Sequence, residues 1–86
     1  MSDYIQKVIE AVRPKLSEYG LKLLPRGKNS FSLIRGTTIV MTVRDAGEIV
    51  ELSYKSKKYT YDKWYTKPEH LTAMILNVLE HQEKQQ

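Results

Sequence analysis

The apolar residues change their spacing twice along the chain, and that change limits what it can fold into. Near the start, Tyr4, Ile5, Val8, Ile9, Val12, Leu16 and Tyr19 recur every three or four residues, the stripe of an amphipathic helix. From 21 to 61 the period falls to two, in β-branched and aromatic residues bounded by turn signals, which is the pattern of strands. Past Pro68 the helical spacing returns in Leu71, Met74, Ile75, Val78 and Leu79. The expected fold is α+β: an N-terminal helix, an antiparallel meander of three to five strands and a C-terminal helix, with both helices on one face of the sheet. No Pro/Gly/Ser-rich linker divides the 86 residues, so one domain over 1–86 is expected, with a polar tail from about 82.

Local signals refine this order. Asp3 followed by Gln6 resembles a capping box, and Gly20 suits the left-handed position after a helix, so the first helix is expected over 4–19 with a kink at Pro14. Strands are expected at 21–24, 30–35, 37–44, 48–54 and 58–61, with turns at 25–29, Gly36, Asp45-Ala46-Gly47 and Lys55-Ser56-Lys57. Thr66-Lys67-Pro68-Glu69 reads as a second capping box. Alternation sets Val40, Val50, Leu52 and Tyr54 on one side of the sheet and Ile39, Met41, Val43 and Ile49 on the other. The face that the helices leave open is then expected to be apolar and to need a partner.

The element order is similar to that of the double-stranded-RNA-binding domain. The second helix of that family opens with a Lys-Lys-x-Ala-Lys pattern that grips phosphates. Here it opens Pro68-Glu69-His70-Leu71-Thr72-Ala73, with no lysine before Lys84, and no family assignment follows.

Several function classes are excluded by what the chain lacks. Without cysteine there are no disulfides, thiolate metal sites or cysteine nucleophiles, and a cytoplasmic setting is expected. Residues 1–7 lack the pattern of a secretory signal, and no run of apolar residues is long enough to span a bilayer. Neither helix joins a strongly basic face to an apolar one, so no membrane-surface role is expected. His70 and His81 are three helical turns apart, about 16 Å along the axis, too far for a shared metal or a dyad. Glu48 and Glu51 point to opposite faces of a strand. The four glycines sit at turns, and none builds a phosphate loop. A domain this small has little interior for a small-molecule or cofactor pocket. The chain is expected to be a binding protein without cofactor, metal or catalytic residues.

The net charge of +4 is segregated along the chain. Residues 13–35 carry Arg13, Lys15, Lys22, Arg26, Lys28 and Arg35 against Glu18 alone. Residues 54–67 hold five of the eight aromatics and five of the fourteen basic residues. Rings that stack on bases and lysines that neutralise phosphate are what single-stranded nucleic acid requires. The candidate site is Lys55, Lys57, Lys58 and Lys63 with Tyr59, Tyr61 and Trp64, extended by Arg26, Lys28 and Arg35 if folding brings them alongside. Set against it is a purely structural segment, with Tyr54 in the core and Trp64 plugging the bottom of the sheet. The alternative function is a protein-interaction module, an adaptor, inhibitor or homo-oligomer subunit, docking through the apolar face of Ile39, Met41, Val43 and Ile49 or through the edge strand.

Overall fold

The computed structural model describes residues 2–83. Two helices and a five-stranded antiparallel sheet form an α+β fold in the expected order. Helix α1 spans Asp3–Val12. Its cap is Ser2 rather than Asp3: the Ser2 hydroxyl accepts from the Ile5 N–H at 3.2 Å, while the Gln6 side chain turns outward to Glu10. Pro14 does more than kink the helix. From Arg13 to Tyr19 the chain tightens into a 3₁₀ stretch with Pro14 in its first turn, where the missing N–H is not needed. The apolar stripe survives the change, because Leu16 and Tyr19 stay buried. Gly20 then ends the stretch at φ 67°, its N–H reaching the carbonyls of Leu16 and Ser17.

Strands β1 Lys22–Arg26, β2 Ser30–Arg35, β3 Thr38–Asp45, β4 Ile49–Tyr54 and β5 Lys57–Asp62 pair in sequence order. β1 runs through Pro25 instead of turning there; an edge strand tolerates proline because its free side needs no donor. The hairpin expected around Asp45-Ala46-Gly47 forms, with Val43 opposite Leu52 and Asp45 opposite Val50. The β4–β5 turn is two residues, Lys55 and Ser56, both at positive φ (50° and 66°) with no glycine.

That register settles which face is buried. Residues directly opposite one another share a face, so Met41 and Val43 lie with Tyr54 and Leu52 on the helix side, and all four are buried. The expected second apolar face over Ile39, Met41, Val43 and Ile49 does not form. Ile39 and Ile49 are left exposed near opposite ends of β3 and β4, and the strip between them is polar: Ser32 bonded to Thr42 at 3.1 Å, and Arg44 to Glu51 at 3.2 Å.

Helix α2 spans Pro68–Val78 and continues as a π-helical turn, Leu79–Glu83. The expected Thr66–Glu69 capping box is absent: Lys67 occupies the cap position with no side-chain bond, and Pro68 starts the helix. Thr66 is committed elsewhere, its N–H to the Asp62 carbonyl and its own carbonyl to the Tyr4 hydroxyl. α1 rests on β2 and β3, and α2 packs beside α1. One core results, in which Ile5, Val8, Val12, Phe31, Leu33, Val43, Val50, Leu71, Ile75 and Leu79 are fully enclosed. Of the expected polar tail from 82, Gln82 and Glu83 belong to the π turn, and 84–86 lie outside the described residues. No helix among the described residues is long and apolar enough to cross a membrane.

Candidate binding surface on the fifth strand

The helices cover the sheet unevenly. Beside β4 and β5 a groove of about 470 Å³ remains, lined on the sheet side by Leu52, Tyr54, Tyr59 and Tyr61, on α2 by Met74, Asn77 and Val78, and at one end by Lys55, Lys57, His81 and Gln82. Met74 and Val78 read as core residues in the sequence; they are half-buried and form a groove wall instead. Tyr59 is 42% exposed, whereas burial, then the neighbouring Tyr59, pushes the Tyr61 hydroxyl above its ordinary pKa. Lys55 lies against the Tyr54 ring, 5.4 Å from its centroid, and donates to Gln82 at 3.1 Å. Lys57 is exposed at the groove, and Lys58 points to the opposite face, 4.0 Å from Glu51.

The last turn among the described residues closes one end of this surface through a partly buried polar knot. Arg35 donates to the Glu83 carboxylate at 2.8 Å and to the Tyr19 carbonyl at 2.7 Å, and the Tyr54 hydroxyl donates to the other Glu83 oxygen at 2.5 Å. Burial pushes Glu83 up, yet the bonds from Tyr54 and Arg35 outweigh it and hold the carboxyl below the usual range. Tyr54 is driven well above the ordinary phenol value, by burial first and then by its hydrogen bond to Glu83.

Not all the expected site residues gather here. Arg35 is spent on the Glu83 knot. Lys63 sits 2.9 Å from both carboxylate oxygens of Asp45 and 5.4 Å from the centroid of the Tyr4 ring, so it is a structural cation. Arg26 ends β1, paired with Ser30, and Lys28 lies in the turn that follows, four strand spacings or roughly 19 Å from β5. Lys55, Lys57, Lys58, Tyr59, Tyr61 and Trp64 remain on or next to β5.

Trp64 does not plug the sheet. Asp62 accepts the Trp64 N–H at 2.7 Å in a tight turn that throws the chain outward, leaving Trp64 76% and Tyr65 80% exposed. The Lys67 ammonium lies 5.1 Å over the indole centroid. Tyr65 and Lys67 were not singled out from sequence, although both lie in the aromatic–basic segment that pointed here. No group of three or more metal-ligating side chains occurs among the described residues. Comparison with known proteins finds no matching family model, no matching curated protein and no matching solved structure.

Proposed function

We propose that the chain is a small non-enzymatic binding module that takes single-stranded nucleic acid on the β5 end of the sheet. The observation that carries this reading is the pair Trp64 and Tyr65, two adjacent rings standing mostly in water with the Lys67 ammonium against one of them. Exposed ring faces beside free lysines offer stacking that is tolerant of base identity, worth roughly 1–3 kcal/mol per base. Lys55, Lys57 and Lys67 supply the phosphate contacts, and Tyr59 adds a half-open ring between them. No side chain here is arranged for reading a particular base, so binding follows shape and charge.

The test uses Trp64 itself: its emission is followed while short single-stranded and duplex DNA and RNA are titrated in at low and high salt. Quenching by single strands that weakens steeply as salt rises supports the reading. Unchanged emission with every oligonucleotide, or an affinity indifferent to the Lys57→Glu, Lys67→Glu double substitution, would remove it.

A second reading is docking of a protein segment in the β5–α2 groove, favoured by its apolar walls Leu52, Met74 and Val78. Such a complex is nearly insensitive to salt, which separates the two.

A further inference from the structure

Both outer strands end the sheet, but their free sides differ. β1 contains Pro25, which has no N–H to offer a newcomer. β5 runs from Lys57 to Asp62 with neither proline nor bulge, and among the described residues no strand lies beyond it. The Lys63 N–H bonds to the Glu48 carbonyl at 3.0 Å. Because inward and outward backbone groups alternate in an antiparallel ladder, the odd-numbered residues of β5 bond to β4, and Lys58, Thr60 and Asp62 face outward. The Asp62 carbonyl already accepts from Thr66. The open edge therefore offers the N–H and C=O of Lys58 and of Thr60 and the N–H of Asp62.

We infer that this edge pairs with itself: two copies of the chain join antiparallel along β5, about a two-fold axis through Thr60. In that register Thr60 exchanges two backbone hydrogen bonds with Thr60 of the other copy, and each Asp62 N–H meets a Lys58 carbonyl, four bonds in all. The side chains match the same axis. Lys58 stands opposite Asp62 twice on the outer face, opposite charges in directly facing positions, and Tyr59 stands opposite Tyr61 twice on the groove side. Lys58 is free to take this role, since its contact with Glu51 is at the 4.0 Å limit and its side chain is 61% exposed. Lys57 faces Lys63 across the axis, but the Lys63 charge is already balanced by Asp45. Sliding the pairing by two residues either way sets Lys58 against Thr60 or against Trp64 and loses both ion pairs, so charge selects one register.

The pairing completes the binding surface. In one chain, Trp64 and Tyr65 lie at one end of β5 and the Lys55–Lys57 turn at the other, roughly 20 Å apart for a six-residue strand. Across the two-fold axis the strand ends exchange, and the rings of one copy come beside the lysine turn of the other, twice. The dimer rests on the strand edge alone and stands whatever the ligand proves to be.

Sedimentation velocity of the full chain, without nucleic acid, tests it. The wild type is expected to reach twice the 10.0 kDa of one chain as concentration rises. Lys58→Asp sets like charges opposite one another and is expected to weaken the dimer roughly tenfold or more. Lys58→Asp with Asp62→Lys in one chain restores it, and the two single variants, each monomeric alone, form a heterodimer when mixed. Thr60→Pro deletes an outward N–H that β4 does not use, so it abolishes the dimer with an unchanged far-UV circular dichroism spectrum. A wild type that stays monomeric at every concentration reached, or a dimer that survives both Lys58→Asp and Thr60→Pro, overturns the inference.

Discussion

Lys63 closes on Asp45 with its ammonium 2.9 Å from each carboxylate oxygen, and this bond ties the end of β5 to the β3–β4 turn. Ser2 adds a hydrogen bond to the same carboxylate at 2.6 Å, so the start of α1 is held at the same point. Burial raises the Asp45 pKa, but the bonds from Ser2, Lys63 and the Gly47 N–H more than offset it, and the group titrates below its ordinary value. Lys63→Ala is expected to cost about 2 kcal/mol by leaving that carboxylate buried and under-bonded. Thermal melting checks this, with a midpoint lower by roughly 10 °C. A variant that melts with the wild type would show the pair to be idle.

The same pair gives the acid limb of the stability curve its sign. A carboxyl whose folded pKa lies below the unfolded value binds more protons unfolded than folded over that interval, so stability is lost as pH falls through it, beginning near 4. The alkaline limb runs the other way. Burial first, with Asp45 and Glu69 nearby, pushes the Tyr4 hydroxyl up to about 12, so its contribution is complete below about 10 and disappears as pH climbs toward 12. Urea midpoints measured across pH check both limbs. Asp45→Asn is expected to flatten the acid limb and Tyr4→Phe the alkaline one.

Glu83 is the hinge on which the last turn hangs. Glu83→Ala leaves the Tyr54 hydroxyl without its acceptor and takes the carboxylate from Arg35, which keeps the Tyr19 carbonyl, at a cost of about 1–3 kcal/mol. Hydrogen exchange is expected to quicken over 79–83 while the sheet amides keep their protection; uniform exchange across the chain would contradict a local anchor.

The Lys55–Ser56 turn places two non-glycine residues at positive φ, the geometry that Asn-Gly adopts most readily. Lys55→Asn with Ser56→Gly is expected to stabilise the fold by about 1 kcal/mol, raising the melting midpoint by roughly 5 °C. The same pair is expected to weaken oligonucleotide binding by removing Lys55. Gain in one assay and loss in the other would show that the turn keeps a strained residue for its charge.

Trp64→Ala and Tyr65→Ala are expected to leave stability within about 0.5 kcal/mol, since neither ring packs in the core. Each is expected to lower affinity for single strands about tenfold. Lys57→Gln with Lys67→Gln lowers the salt dependence of binding by roughly 1.4 in log–log slope. Lys63→Gln leaves that slope unchanged and lowers the melting point instead. Fluorescence anisotropy with a labelled oligonucleotide separates these outcomes.

Periodicity carried the fold because each element buries one regular stripe, so the helices and the meander were legible in Val8, Val12, Leu71 and Ile75 and in the alternation along β2–β4. The inward face was not, because it depends on which residues stand opposite one another across a turn, and a one-residue difference there moves Met41 and Val43 from one side to the other. The aromatic–basic segment marked the right region of the surface. It could not show that Lys63 and Arg35 are held by Asp45 and Glu83, since those partners lie 18 and 48 positions away. Nor could spacing alone tell an exposed Trp64 from a buried one. That distinction comes from the turn at Asp62, whose carboxylate bends the chain outward.

The strictly sequential order of the strands bears on how the molecule assembles. Each strand pairs only with its neighbour in the chain, so the sheet can zip up hairpin by hairpin, with short loops to close at every step. The closures that span the sequence join its two helical ends, α1 against α2 and the 13–19 stretch against the last turn. Folding is therefore expected to be quick for a sheet protein, with the joining of the two chain ends as its last event. Deleting α2 would leave α1 on the sheet with its outer flank uncovered and would take Leu71 and Ile75 out of the core.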